Sequence, residues 1–314
     1  MDQKLIEKVM SAREAVERFV PSGSVLGLGG QTIGRCSMAL AHEIVRQDKN
    51  NLIIVGCSMS ISMDLMVGAG LVSRTECGTG NVESFGATMR WRRAIEEGKL
   101  EVRDFSHLAM ALRFLAGSLG LPFIPTKSML GTDLVSEAYS NSDSHILMDN
   151  PWEDRDPVVL LRALNPDVSI IHAQKADKFG NVVIEGFKTH EIEMAKASKK
   201  VLVTCEEIID SDYIRSDPSL TTIPYIYVHA VIQQRWGGYP TSVYRYYVHD
   251  PNHISLYQKV AREGGLEYQK YLDEYIYGCN DFDEYLSKVL DAGCKNGLIQ
   301  EMNGLVDIVK KNEV

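Results

Sequence analysis

The segment Val25–Gly34, VLGLGGQTIG, constrains the fold most. An apolar run ends in the paired glycines Gly29 and Gly30, then Gln31, Thr32 and Gly34, and an apolar periodic stretch begins at Ser37 with Met38, Leu40, Ala41, Ile44 and Val45. That order predicts a strand, a glycine turn and a helix. Open α/β sheets bind ligands beyond the carboxyl end of such a strand. Glycine lets backbone N–H groups approach an anion closely. The spacing excludes a P-loop, because no Lys-Ser or Lys-Thr pair follows, and glycines at 27, 29, 30 and 34 do not fit G-x-G-x-x-G. A tight turn that needs positive φ and an anion or oxyanion site both remain open. Gln31 and Thr32 add polar side chains at the turn.

Along the chain, Leu5, Ile6, Val9, Ala12, Val16 and Val20 recur at helical spacing, up to the break at Pro21-Ser22-Gly23. Leu52–Val55 reads as a buried strand. A Met-rich helix follows around Ile61–Ala69, with its methionines as core filler. Leu71–Cys77 reads as a strand ending in a second small-residue loop, Gly78-Thr79-Gly80-Asn81. Helices are expected over 88–97, where Arg90, Arg92 and Arg93 either hold a phosphate or, as is commoner, form a solvated face or pair with acidic neighbours, and over 108–119. Residues 126–152 have weak periodicity and read as a loop or subdomain excursion. Strands at 158–161 and 168–172, a hairpin around Gly180-Asn181, a helix at 192–199 and a strand at 201–204 resume the alternation. The C-terminal part, from about 254, reads as helical. We therefore expect one α/β domain over residues 1–314, an open mixed or parallel sheet flanked by helices with a C-terminal helical extension.

The 314 residues carry a net charge of −9, which argues against nucleic acid as a partner. No apolar run approaches the roughly 20 residues of a membrane span. The opening MDQKLIEKVM has no signal-peptide core, and the six cysteines include no C-x-x-C pair, so a reduced cytoplasmic protein is expected. His249 and His253 have no further ligand partners in sequence, and no metal site is expected. No G-x-S-x-G elbow is present, and Cys205 beside Glu206 and Glu207 reads as a buried thiol. Glu83, just after the Gly78–Asn81 loop, is either a general base or nucleophile, or a first-turn helix acid. The chain thus offers an anion pocket without a clear nucleophile, a pattern that suits chemistry completed by a partner.

SGSVLGLGGQT (Ser22–Thr32) resembles the glycine signature of family I coenzyme A transferases, where the usual form ends in Gly-Gly-Phe. The resemblance extends through Leu121–Pro125, Asp149-Asn-Pro151, Asn165–Gln174 with Gly180-Asn181, Val203–Ile209, Ile214-Arg215, Asp217-Pro218, Ile223-Pro224 and Glu284–Leu286. It covers nearly the whole chain and is closest to the α subunits of the glutaconate CoA-transferase branch. It implies an open α/β fold shared with sugar-phosphate isomerases, a β-subunit partner and an α₂β₂ or larger assembly. CoA would move from an acyl-CoA to a free carboxylic acid, with coenzyme A as substrate and product and no further cofactor. The catalytic glutamate would lie on the β subunit; the usual Ser-Glu-Asn-Gly stretch around it is absent here.

On this reading the amides of Gly29, Gly30, Gln31 and Thr32 stabilise the thioester oxyanion, and Thr79 and Asn81 bind the acid substrate. Gln31 in place of Phe makes the pocket more polar. Two alternatives stand beside it. One is the α subunit of a ring-cleaving acyl-CoA hydrolase with Glu83 catalytic. The other is a non-catalytic metabolite-binding module.

Overall fold

A computed structural model describes residues 5–135, 143–152 and 156–312. The strands are β1 (Val25–Leu28), β2 (Leu52–Met59), β3 (Val72–Gly80), β4 (Glu101–Asp104), β5 (Phe123–Thr126), β6 (His145–Asp149), β7 (Pro157–Arg162), β8 (Val168–Asp177), β9 (Val182–Val183), β10 (Lys200–Ile209) and β11 (Ala230–Gln233). The helices are α1 (Ala12–Phe19), α2 (Met38–Arg46), α3 (Ile61–Gly68), α4 (Met89–Glu96), α5 (His107–Ser118), α6 (Glu191–Ala197), α7 (Ser211–Ser216), α8 (Pro251–Glu263), α9 (Gly265–Leu272), α10 (Phe282–Val289) and α11 (Ala292–Asn312).

The main sheet runs β11-β10-β8-β1-β2-β3-β4, with every neighbouring pair parallel. Its central strands are buried on both faces, which explains their continuous apolar sequences. One core contains side chains of α1, α2, α3 and the C-terminal helices; a second lies under α5 and α6. Met63 and Met66 are fully buried, as core filler should be. This is the open α/β sheet flanked by helices that the alternation predicts. Asp177 shapes the expected β8–β9 hairpin by accepting the N–H groups of Phe179 and Asn181.

Several local expectations change. The first helix starts at Ala12, where Ser11 accepts the Glu14 N–H; before it, Lys8 and Met10 hydrogen-bond Val231 as an added edge to β11. That pairing gives the segment's backbone a partner without helix. β3 continues through Gly78 and Thr79 to Gly80, because Ser58 and Met59 of β2 supply register partners for Thr79 and Gly80. Within the irregular 126–152 stretch, β6 forms a separate antiparallel sheet, β5-β7-β6, so the strand at 158–161 belongs there and not to the main sheet. Residues 136–142 of that stretch lie outside the described residues. Of the arginines on α4, Arg92 pairs with Glu96, and Arg93 donates to the terminal carbonyls of α8 at Arg262 and Glu263. Among the described residues no helix is long and apolar enough to cross a membrane.

Candidate functional site

The turn after β1 is held open by a buried ion pair. Arg35 and Glu191 are 2% and 0% exposed, and the guanidinium meets both carboxylate oxygens at 2.6 and 2.7 Å. Arg35 also donates to the carbonyls of His172 (2.9 Å) and Phe187 (3.2 Å). Glu191 Oε1 accepts the Gly30 N–H at 2.9 Å. Burial alone would raise the Glu191 carboxyl. The charge and hydrogen bonds of Arg35, with His190 and the Gly30 amide, outweigh it and hold the group below its ordinary value.

The lock holds a turn with costly backbone. Gly30 has φ 82°, and a Cβ there would stand 2.6 Å from the Arg35 carbonyl oxygen. Thr32 and Arg35 also have positive φ, at 46° and 55°. Such conformations cost roughly 1–2 kcal/mol per non-glycine residue and persist only when surrounding bonds fix them.

The turn's hydrogen bonds correct the expected donor set. Gly29 N–H donates to Ile170 O, Gly30 N–H to Glu191, Gln31 N–H to Gly34 O, and Thr32 N–H to Ser58 O. All four amides expected to face the oxyanion are therefore committed internally, because the fold uses them to fix the turn. Gly34 and Arg35 amides are also taken, by Gln31 O and Ser242 O. Ile33 has the one amide of residues 29–35 with no acceptor among the described residues.

Ile33 lines a cavity of about 440 Å³ together with Gln31, Thr32 and Gly34. Glu83 enters from the turn after β3, Phe187 and Thr189 from the segment before α6, and Ser242 and His249 from the segment before α8. A Cβ at Gly34 would sit 2.6 Å from the Phe187 ring, so the glycine lets that aromatic wall close in. Asp250 accepts the N–H groups of Asn252 and His253 and caps α8, which fixes His249 at the helix entrance.

Thr79 and Asn81 do not line this cavity. Asn81 Nδ2 lies 3.4 Å from Thr79 Oγ1, and Asn81 Oδ1 accepts the Glu83 N–H at 3.1 Å. They support the left-handed Glu83 backbone (φ 52°) that carries its carboxylate to the cavity. Glu83 is the cavity's carboxylate among the described residues, and no Lys or Arg lines it there.

Cys205 is fully buried, and burial with the charge of Glu206 pushes its thiol up to about 12, which suits an inert core residue. Among the described residues no group of His, Cys, Asp or Glu could hold a metal.

Ile33, Phe187, Thr189, Ser242 and His249 are absent from the sequence-based site, since no local motif marks them. The one available signal is Asp250-Pro251, a helix-start pair that places His249 at a helix entrance.

Comparison with known proteins gives a consistent result. The family model described as Coenzyme A transferase matches residues 9–234. An uncharacterized protein of Archaeoglobus fulgidus is 38% identical over 295 residues, covering 91% of this chain; the match spans 63% of that relative's length. The A-type subunit of glutaconate CoA-transferase from Acidaminococcus fermentans is 33% identical, with 90% of this chain and 92% of that one covered. The A-type subunit of 3-oxoadipate CoA-transferase from Pseudomonas knackmussii is 32% identical, with 91% and 99% covered. The crystal structure of the Acidaminococcus fermentans glutaconate coenzyme A-transferase superposes with a TM-score of 0.88 at 32% identity, covering 93% of this chain and 95% of that one.

Proposed function

The chain belongs to the coenzyme A transferase family, and from that premise we propose that it is the A-type subunit of a two-chain enzyme that moves CoA from an acyl-CoA to a free carboxylic acid. Its part is the acyl cavity. The observation that carries this reading is the uncommitted Ile33 amide on the wall of a cavity that also offers an apolar face, Ile33 and Phe187, and polar contacts at Gln31, Ser242 and His249.

The chemistry follows from what the cavity holds. A carboxylate attacks the thioester carbonyl; the tetrahedral oxyanion collapses to a mixed anhydride and releases CoA thiolate. The thiolate then returns to the carbonyl of the attacking group and expels the first acid. The second acid takes CoA by the reverse sequence. The attacking carboxylate comes from the partner subunit, in an α₂β₂ or larger assembly, and no further cofactor takes part. The Ile33 N–H donates to the oxyanion, an effect of about 3 kcal/mol for a well-placed donor. A polar, uncharged acyl terminus is received by Gln31, Ser242 and His249, since Glu83 contributes a carboxylate and no guanidinium or ammonium among the described lining residues would neutralise a second one. Gln31 at the usual phenylalanine position favours such a polar terminus over a plain aliphatic one.

The test is co-expression with a β-type chain followed by CoA exchange between carboxylates. The pair is expected to be active and this chain alone inactive. Full exchange by this chain alone overturns the reading.

A second reading is kept because Glu83 reaches the cavity: hydrolytic cleavage with Glu83 as base. Glu83→Gln in the assembled enzyme separates the two. Transfer within about threefold of wild type supports the transferase reading. Ring-cleaving hydrolysis by the wild-type assembly without CoA exchange, falling about 100-fold or more in Glu83→Gln as is usual for loss of a general base, supports the hydrolase reading.

A further inference from the structure

A second cavity, of about 480 Å³, opens between the main sheet and the small antiparallel sheet and shares no lining residue with the acyl cavity. Arg74 on β3, Arg103 on β4, Arg113 on α5 and Arg162 at the end of β7 all line it. Arg74 lies six residues before the end of β3, about 20 Å along the strand from the edge where the acyl cavity forms.

The arginines are incompletely neutralised. Glu76, 3% exposed, accepts from Arg113 at 2.8 Å and lies 3.2 Å from Arg74 and 3.8 Å from Arg103. Glu101 pairs with Arg103 at 2.9 Å and lies 3.8 Å from Arg74, and Asp143 stands 3.9 Å from Arg103. Even with these acids counted, positive charge is in surplus. Arg162 makes no carboxylate pair among the described residues; its Nη1 donates to the Asp143 carbonyl at 3.2 Å. Arg74 Nε is buried and, being misaligned with Glu76, has no hydrogen-bond acceptor among the described residues. Arg113 feels the crowding. Burial lowers its pKa, Glu76 opposes this, and the charges of Arg103 and Arg162 push it down further.

Converging guanidinium groups with an unfilled donor are costly in the fold unless an anion joins them. Their planar forks match the oxygens of phosphate and carboxylate. We propose that this cavity binds a small multiply charged oxyanion, a phosphate or a di- or tricarboxylate, at a site separate from the acyl cavity. The anion bridges Arg74, Arg103 and Arg162, while Arg113 stays with Glu76 as the buried wall.

The experiment is calorimetric titration of the full chain with inorganic phosphate and, separately, with citrate, each against chloride at equal ionic strength. One saturable site per chain is expected. Losing one charge-assisted contact in Arg162→Gln should weaken it about tenfold or more. Gln31→Ala, in the other cavity, should leave it unchanged. The tighter probe identifies the source, phosphate or carboxylate. Arg162 is exposed, so its variant should fold; circular dichroism checks this and the companion Arg103→Gln. No saturation by either anion beyond the chloride control, or equal binding by folded Arg162→Gln and wild type, overturns the proposal. The result is independent of whether the assembled enzyme transfers CoA.

Discussion

Replacing Glu191 by Gln tests how the turn that lines the Gln31 cavity is held. The carboxylate has two bonds to Arg35, at 2.6 and 2.7 Å, and one from Gly30 at 2.9 Å, with both charged side chains buried. The substituted amide would keep one acceptor but leave the Arg35 charge unpaired in the core. Breaking a buried pair in this way costs about 3–5 kcal/mol, a large part of the roughly 5–15 kcal/mol that holds a domain. Urea denaturation at pH 7 measures the loss. Acid should erase it. Because the folded Glu191 pKa lies below the ordinary 4.5, its contribution is complete above that pH and is lost as pH falls through the folded value. The gap between wild type and variant should therefore be constant near neutrality and close below pH 4.5. Arg35→Met combined with Glu191→Leu should cost less than the two single changes added together, since neither charge is then stranded. A loss under about 1 kcal/mol for Glu191→Gln, or strictly additive single and double variants, refutes the reasoning.

Gly30→Ala forces a side chain into a left-handed position against the Arg35 carbonyl and should cost about 2–4 kcal/mol, read as a lowered denaturation midpoint. Gln31→Ala should raise KM for the free acid about tenfold with kcat little changed, if the amide binds ground state and transition state alike. Asp64 is buried under Tyr257 and Trp91, and burial lifts its carboxyl from 3.8 to about 6. Its contribution to stability is full below pH 3.8 and is lost as pH rises to about 6. Relative to Asp64→Asn, wild type should thus lose about 3 kcal/mol across that interval in pH-dependent denaturation. A flat difference contradicts that placement of the proton.

The parts of the fold that can be read from sequence are those encoded locally. The glycine turn, the apolar parallel strands and the Gly180-Asn181 hairpin each have their cause within a few residues. Lys8–Met10 continue an apolar periodicity that matches a helix, yet the free edge of β11 captures them, and a single sequence does not display that edge. β6 has little alternation because three successive residues, Ile146, Leu147 and Met148, are exposed.

The site follows the same division. Residues 31, 32 and Glu83 are legible in the sequence; their partners come from up to 218 residues away, as with Gln31 and His249 in one cavity. The amides of residues 29–32 read as substrate donors because a glycine turn suggests open N–H groups. Glu191, 156 residues from Arg35, consumes one of them, and no local pattern reports that pairing.

The most direct test is a crystal structure of the assembled enzyme with an acyl-CoA analogue whose thioester sulfur is replaced by methylene. The acyl chain is expected between Phe187 and Gln31, with the carbonyl oxygen about 3 Å from the Ile33 nitrogen. An acyl group bound elsewhere, with the Ile33 amide facing solvent or protein, contradicts it.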